Sequence, residues 1–299
     1  MRSSLFLTLG LALLLLNLPL QAAEIYKYKD ANGKWRYTDK NPKTDTAETL
    51  TLKKTAKPNI EPRFFVDKDE ERGKNHLVVH NPFHAPVQVR LKSPQLKQGR
   101  SRVIPALGKK TLLSTADTIE PFTYKWQWGD PSRAPGPQEY QFPADPLGCY
   151  RITQAFNGKF SHQGDNSRYA VDIALPVGTA INAARAGVVI AVKDDYYMGG
   201  VDKFFLDKAN YVRILHDDGT FALYGHILLG TAAVRVGDKV SAGTTLAKSG
   251  SSGYSSGPHL HFVIHRNTGF KMTSVPFTFI ANKSQRTFVP MAGQRLCDL

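Results

Sequence analysis

The chain has 299 residues, a length that fits two or three domains. Its 39 Lys and Arg outnumber 25 Asp and Glu, giving a formal net charge of +14 that favours anionic partners. No Lys/Arg cluster is interleaved with aromatics, which argues against a nucleic-acid partner, and no apolar run beyond the first twenty residues offers a permanent membrane anchor.

At the start, Arg2 precedes an uncharged, largely apolar run from Leu5 to Leu16, followed by Pro19 and the small pair Ala22 and Ala23. A positive end, a short apolar core and small residues at the cut is the order of a secretory signal peptide. The core falls short of the roughly 20 apolar residues that span a bilayer. Cleavage after Ala22 or Ala23 is therefore expected, with an uncleaved anchor helix as the alternative. The mature chain then carries +13 and is periplasmic or secreted. No cysteine follows the core, so a lipid-anchored start is not expected. For an exported chain the obvious polyanion is the envelope itself.

Residues 24–45 read as a small β-hairpin module: Ile25, Tyr26 and Tyr28, an Asp30-Ala31-Asn32-Gly33 turn, then Trp35, Tyr37 and Thr38. This segment resembles a short exported domain of unknown function whose members begin IYKW.D.NG...Y.D, on Ile25, Tyr26, Lys27, Asp30, Asn32, Gly33, Tyr37 and Asp39. The resemblance implies no chemistry. Residues 46–62 are rich in Thr, Lys and Pro and read as a linker.

From 63 to 129, short β-prone runs such as Leu77-Val78-Val79, Val87 to Leu91 and Thr111-Leu112-Leu113 alternate with Pro and Gly turns, predicting a β-sandwich-like module. His76, His80 and His84 stand four apart, but Pro82 and Pro86 forbid the helix on which that spacing would gather a metal. A Pro/Gly-rich stretch, 130–146, marks the next boundary. Residues 147–299 again read as strands between Gly-rich corners: Tyr169 to Leu175, Val188 to Val192, Tyr211 to Leu215, Phe221 to Tyr224, Thr245 to Lys248 and Leu260 to Ile264. The expected fold class is mostly β, with a C-terminal antiparallel sheet domain preceded by small β modules. Cys149 and Cys297 bracket that domain, and in an oxidising compartment they suggest a disulfide joining its ends; two unpaired buried thiols are the alternative.

The stretch Gly257-Pro258-His259-Leu260-His261-Phe262 carries the chemistry. On a strand, His259 and His261 share a face, about 6.6 Å apart at roughly 3.3 Å rise per residue. One imidazole can then bind a metal while the other stands at the water. That is what a metal-dependent hydrolase needs: three protein ligands, an open position, and a neighbouring base. Alone, the pattern describes two histidines on a polar sheet face equally well.

Its surroundings say more. Tyr169-Ala170-Val171-Asp172 runs into Pro176-Val177-Gly178-Thr179. Leu223-Tyr224-Gly225-His226, Val236-Gly237-Asp238 and Ser249-Gly250-Ser251-Ser252-Gly253 follow in order. From near Phe156 to about Asn267 this order resembles the M23 zinc metallopeptidases, the LytM or lysostaphin-like enzymes of the cell wall. The resemblance implies a lysostaphin-like β-sheet peptidase domain, a Zn²⁺ cofactor, peptidoglycan as substrate, and Asp172 and His261 as metal ligands. It further implies His259 as general base and His226 as a second catalytic histidine that helps hold the water or the oxyanion.

One position departs. The family's first histidine ligand commonly lies four residues before the aspartate, where this chain has Arg168. His162, in Ser161-His162-Gln163-Gly164, is taken as the displaced ligand, with Asp165 to Arg168 as a polar insertion. The alternative is a site lacking one ligand. Among weaker candidates, His265 is expected on the groove wall, His216 in a turn, and Tyr224 as a sheet-face aromatic rather than a substrate contact. Asp194 and Asp195 are set aside as a carboxylate pair, since neighbours on a strand face opposite ways.

Two rival functions remain. An inactive protein of the same fold would bind and activate another wall hydrolase, other envelope proteins being its partners. An inert envelope protein would leave the histidine set as coincidence.

Overall fold

The computed structural model describes residues 23–29, 35–38, 47–52, 60–96, 98–134, 136, 139–145, 148–281 and 285–297. Residues 1–22, which hold the signal-like run, and the expected turn at Asp30–Gly33 lie outside the described residues. The chain divides into two units, residues 1–59 and 60–299.

In the first unit, β1 (Ala23–Lys29) pairs antiparallel with β2 (Trp35–Thr38) on one side and β3 (Glu48–Leu52) on the other. The third strand falls inside the stretch expected as linker. Its Glu-Thr-Leu-Thr-Leu alternation is a period-two pattern of β-branched and apolar residues, which Thr-rich composition obscures.

The second unit begins with six strands: β4 (Arg63–Asp69), β5 (Lys74–His80), β6 (Val87–Lys92), β7 (Arg100–Ile104), β8 (Lys109–Thr115) and β9 (Thr123–Trp128). They form two three-stranded sheets, ordered β4-β5-β8 and β7-β6-β9. Alternate residues bury between the sheets: Leu77 and Val79 from one strand, Val87, Val89 and Leu91 from another, closed by Phe83 stacked on Trp126.

The rest of the unit contains β10 (Glu139–Gln141), β11 (Cys149–Gln154), β12 (Val171–Ala174), β13 (Ala180–Asn182), β14 (Gly187–Lys193), β15 (Gly199–Gly200), β16 (Tyr211–Leu215) and β17 (Phe221–Gly225). It continues with β18 (Lys239–Val240), β19 (Thr245–Lys248), β20 (Gly253–Tyr254), β21 (His259–Asn267), β22 (Met272–Ser274), β23 (Thr278–Ile280), β24 (Thr287–Phe288) and β25 (Arg295–Cys297). A nine-stranded sheet ordered β18-β14-β16-β17-β21-β12-β11-β25, with β22 also on β21, dominates. The mostly β, antiparallel class expected from the sequence is borne out; the parallel pairs β10–β23 and β15–β20 are its exceptions. Cys149 lies opposite Cys297 where β11 meets β25, and the two are disulfide-bonded.

Beneath one face of this sheet, Tyr140, Phe142, Tyr224, Phe262, Phe277 and Phe279 pack edge to face in a buried aromatic core. Burial of each such ring contributes roughly 2–3 kcal/mol. Two of the six come from the Pro/Gly-rich stretch 130–146, whose strand β10 pairs with β23.

The opposite face presents Asp172, His259, His261 and Tyr211 at one end and Phe221 and His265 at the other, as strand alternation requires. The sandwich packs on that second end. Ala85 buries with Ile190 and Phe221, and Trp128 packs beside them. Asn267 Nδ2 donates to Gln88 Oε1 at 3.2 Å and to the Gly129 carbonyl at 3.0 Å. Gly129 has φ +95°, and a Cβ there would lie 2.9 Å from the Phe221 ring, so glycine is needed for both conformation and contact.

Candidate active site

Pairing of β12 with β21 sets Asp172 opposite His261 and Ala174 opposite His259, and β17 brings Gly225, with His226 next in chain, to the other side of His261. His162 arrives from a loop that closes on itself. The Asn157 N–H reaches the Arg168 carbonyl, the Arg168 N–H the Gly164 carbonyl, and the Ser274 N–H the Asp165 carbonyl. The extra residues between His162 and Asp172 are thus taken up in local turns, and Arg168 sits outside, 3.5 Å from Asp165.

The result is a close group. Asp172 Oδ1 lies 2.8 Å from His261 Nδ1, 3.2 Å from His162 Nε2 and 3.8 Å from His259 Nε2. One potential ligand atom each from His162, Asp172 and His261 lies within 4.8 Å of the other two, and among the described residues this is the group able to hold a metal ion. His76, His80 and His84 form no such group there; His76 Nδ1 instead meets Ser114 Oγ at 2.8 Å.

Hydrogen bonds on the far side of each ring assign the tautomers. His162 Nδ1 donates to the Ala155 carbonyl (3.0 Å), His259 Nδ1 to that of Gly257 (2.8 Å), and His226 Nδ1 to that of Ser252 (2.6 Å). In each ring Nε2 therefore carries a free lone pair. His162 is fully buried and its Nε2 has no hydrogen-bond partner: with the ring proton on Nδ1, Nε2 has none to give to Asp172 Oδ1, 3.2 Å away. An electron-rich nitrogen facing a carboxylate oxygen, both buried, is what a cation between them resolves, so these residues fit a metal.

Burial opposes the charge of Asp172, but contacts from His162 and His261 outweigh it and hold its carboxyl well below the usual range. Burial, with His259 and His261 adding to it, pushes His226 down to about 3; burial also lowers His259. Both rings are thus neutral proton acceptors at physiological pH. His226 has a backbone φ of +62°, an uncommon conformation for a non-glycine residue, in the chain that enters the site.

The group opens on a groove of about 500 Å³, lined also by Phe160 and Tyr254 and by Leu206 and Ala209, from the segment around a 3₁₀ turn at Lys203–Phe205. His265, expected on the groove wall, is buried instead and donates from Nε2 to the Asn166 carbonyl (2.7 Å). Strand alternation gave its face, but the His162–Arg168 loop covers that part of the sheet. His216 follows β16 with Nδ1 on the Ala186 carbonyl, and Tyr224 is buried with its hydroxyl accepting from the Ala184 N–H.

Two residues at the site carry no sequence signal. Gln154 donates to Asp172 Oδ2, and Ser255 Oγ lies 3.3 Å from His259 Nδ1. A lone glutamine or serine is conspicuous only once the fold has placed it.

With this geometry in hand, the class follows: residues 166–272 match Peptidase family M23, so the resemblance read from the motifs is shown. Residues 11–63 match DUF4124, a domain of unknown function, in agreement with the reading of the N-terminal segment. Among particular proteins, the chain is similar to peptidoglycan DD-endopeptidase ShyC of Vibrio cholerae, 30% identical over 164 residues, 52% of this chain and 35% of that one. It is also similar to the glycyl-glycine endopeptidase ALE-1 of Staphylococcus capitis, 34% identical over 96 residues, 32% of this chain and 24% of that one. A solved catalytic domain of lysostaphin from Staphylococcus simulans aligns with a TM-score of 0.30 at 26% identity, covering 43% of this chain and 87% of that chain. The chain spans about a third or less of the length of the curated relatives it matches. Among the described residues, no helix is long and apolar enough to cross a membrane.

Proposed function

We propose that this chain is an exported, zinc-dependent endopeptidase that hydrolyses peptide bonds of bacterial peptidoglycan, in stem peptides or their cross-bridges. The observation that carries the reading is the convergence of His162 Nε2, Asp172 Oδ1 and His261 Nδ1, with the free lone pairs of His259 and His226 beside them. The M23 match and the peptidoglycan endopeptidases among the relatives support the substrate class.

His162, Asp172 and His261 would hold the ion: two neutral imidazoles and a carboxylate suit Zn²⁺. Zinc supplies Lewis acidity toward the scissile carbonyl and makes water acidic enough to give up a proton near neutral pH. The chain's own residues do the rest. His259 Nε2 takes the proton from the attacking water and, once charged, returns it to the departing amine nitrogen, without which an amide does not leave. Its Nδ1 bond to the Gly257 carbonyl fixes the ring and stabilises the charge it gains. His226 has its proton on Nδ1, so Nε2 can only accept; this favours orienting the water over donating to an oxyanion.

The test is zinc content and digestion of purified peptidoglycan by wild type and His162→Ala, with the mass of released fragments. About one zinc per chain with new peptide termini in the wild type, both lost in the variant, is expected. A wild type that holds no zinc under replete conditions and releases nothing would install the activator reading instead.

A further inference from the structure

The groove contains a feature that the peptide chemistry does not use. Phe160 is 62% exposed, and its ring lies nearly parallel to that of Tyr254, centroids 6.0 Å apart and planes 21° off. Single exposed aromatics are ordinary, but these two adjoin, both line the groove, and both are held from behind. The Phe160 N–H donates to Gln154 Oε1. Tyr254 is fixed by β20, where Gly253 has φ +79° and passes so near Ala209 that a Cβ would stand 2.4 Å from its backbone nitrogen. The pair makes a stacked aromatic plate on the groove lining, with the Phe160 ring more than half exposed.

Charge narrows what the plate receives. Although the chain carries +14, no Lys or Arg lines this groove among the described residues; Asp172 and the histidines are its titratable groups apart from tyrosines. The neighbours are polar and neutral: Asn166 and Ser256, both exposed, lie on the same lining. An aromatic plate edged by amide and hydroxyl groups, with no Lys or Arg beside it to meet a carboxylate, matches a pyranose ring. Its C–H face packs on the aromatic surface and its hydroxyls and amide meet the polar edge.

The geometry points to Phe160 and Tyr254, with Asn166 and Ser256, as a subsite for an uncharged N-acetylated sugar of the glycan strand. This rests on the peptidoglycan reading, in which a sugar is covalently attached to the peptide being cut. The plate then holds the glycan while the metal group works on its peptide.

Two measurements test it. First, the full chain is titrated with soluble, uncharged oligosaccharides of N-acetylglucosamine, as wild type, Phe160→Ala and Phe160→Trp. Saturable binding by the wild type, weakened about tenfold in the alanine variant and retained in the tryptophan variant, is expected. Absence of binding by the wild type, or equal binding by all three, overturns the subsite. Second, cross-linked peptide dimers are compared with and without their sugars. Phe160→Ala should lower kcat/KM about tenfold on the sugar-bearing dimer and leave the sugar-free one within about twofold. Equal loss on both would assign the plate to the peptide and overturn the proposal. A wild type that cuts neither dimer would remove the hydrolase reading, while the oligosaccharide titration still decides the subsite.

Discussion

Gln154 Nε2 stands 2.9 Å from Asp172 Oδ2, while Asp172 Oδ1 faces His162 and His261. The same amide nitrogen reaches Ser161 Oγ at 2.7 Å, and its Oε1 accepts from the N–H groups of Phe160 and Ser161. The carboxylate is thereby held so that one oxygen looks into the site and the other is occupied. Outer partners of this kind typically change metal affinity ten- to a hundredfold. Gln154→Ala should weaken zinc binding by about that range in a competition titration, and Gln154→Glu by more, since it sets a second carboxylate against Oδ2. Unchanged affinity in both would show that Asp172 is oriented by its strand alone.

His259 and His261 are two residues apart on one strand face, yet their substitution should give opposite zinc results. His261→Ala removes a proposed ligand and should empty the site. His259→Ala should keep about one zinc per chain while peptide hydrolysis falls roughly 10²- to 10⁴-fold, the usual contribution of a general base. Loss of zinc from His259→Ala would make it a ligand and leave the base to His226.

Burial pushes His216 from 6.5 down to about 4, with Arg185 pressing the same way and the Ala186 carbonyl, Asp218 and Asp217 opposing. The ring is neutral when folded. Above pH 6.5 it is neutral in both states and its contribution is whole. As pH falls from 6.5 to 4 the unfolded chain takes up a proton that the folded one refuses, so stability drops, by about 3 kcal/mol from this residue. Denaturant unfolding at stepped pH should show it, and His216→Gln should flatten the slope in that window by close to one proton. An unchanged slope would place the acid sensitivity elsewhere.

The Cys149–Cys297 bond closes a loop with a sequence separation of 148 residues. Chain-entropy arguments give such a cross-link up to about 5 kcal/mol. Reduction, or paired replacement by serine, should lower the unfolding free energy by several kcal/mol while leaving the zinc stoichiometry of the folded protein unchanged. Loss of less than about 1 kcal/mol would mean that the pairing of β11 with β25 holds the ends together without it.

The mostly β class is legible because strands such as Tyr211–Leu215 and Thr245–Lys248 are short, β-branched and bounded by turns. The common face of His259 and His261 is legible for the same reason: period two is a local property. Register is not. That Asp172 stands opposite His261 depends on pairing strands 89 residues apart, and only family resemblance anticipates it. Face without depth explains His265, whose side is correctly expected but whose cover, the loop after His162, is a tertiary fact. Gln154 is silent because one amide among many polar residues acquires meaning only from the atoms it meets. Glu48–Leu52 is obscured by the Thr- and Lys-rich composition around it.

Strand β21 has a histidine of the metal group near one end and, at the other, Asn267 bonded to Gln88 and to the Gly129 carbonyl of the sandwich. The same nine residues thus belong to the floor of the candidate site and to the seam with the neighbouring module. Recombination that treats the two as interchangeable cassettes would have to cut through this strand's partners. A foreign sandwich grafted onto β21 would need its own counterpart to Gln88 and a glycine where Phe221 comes close. Inheritance of the two modules as one block is the arrangement this seam favours.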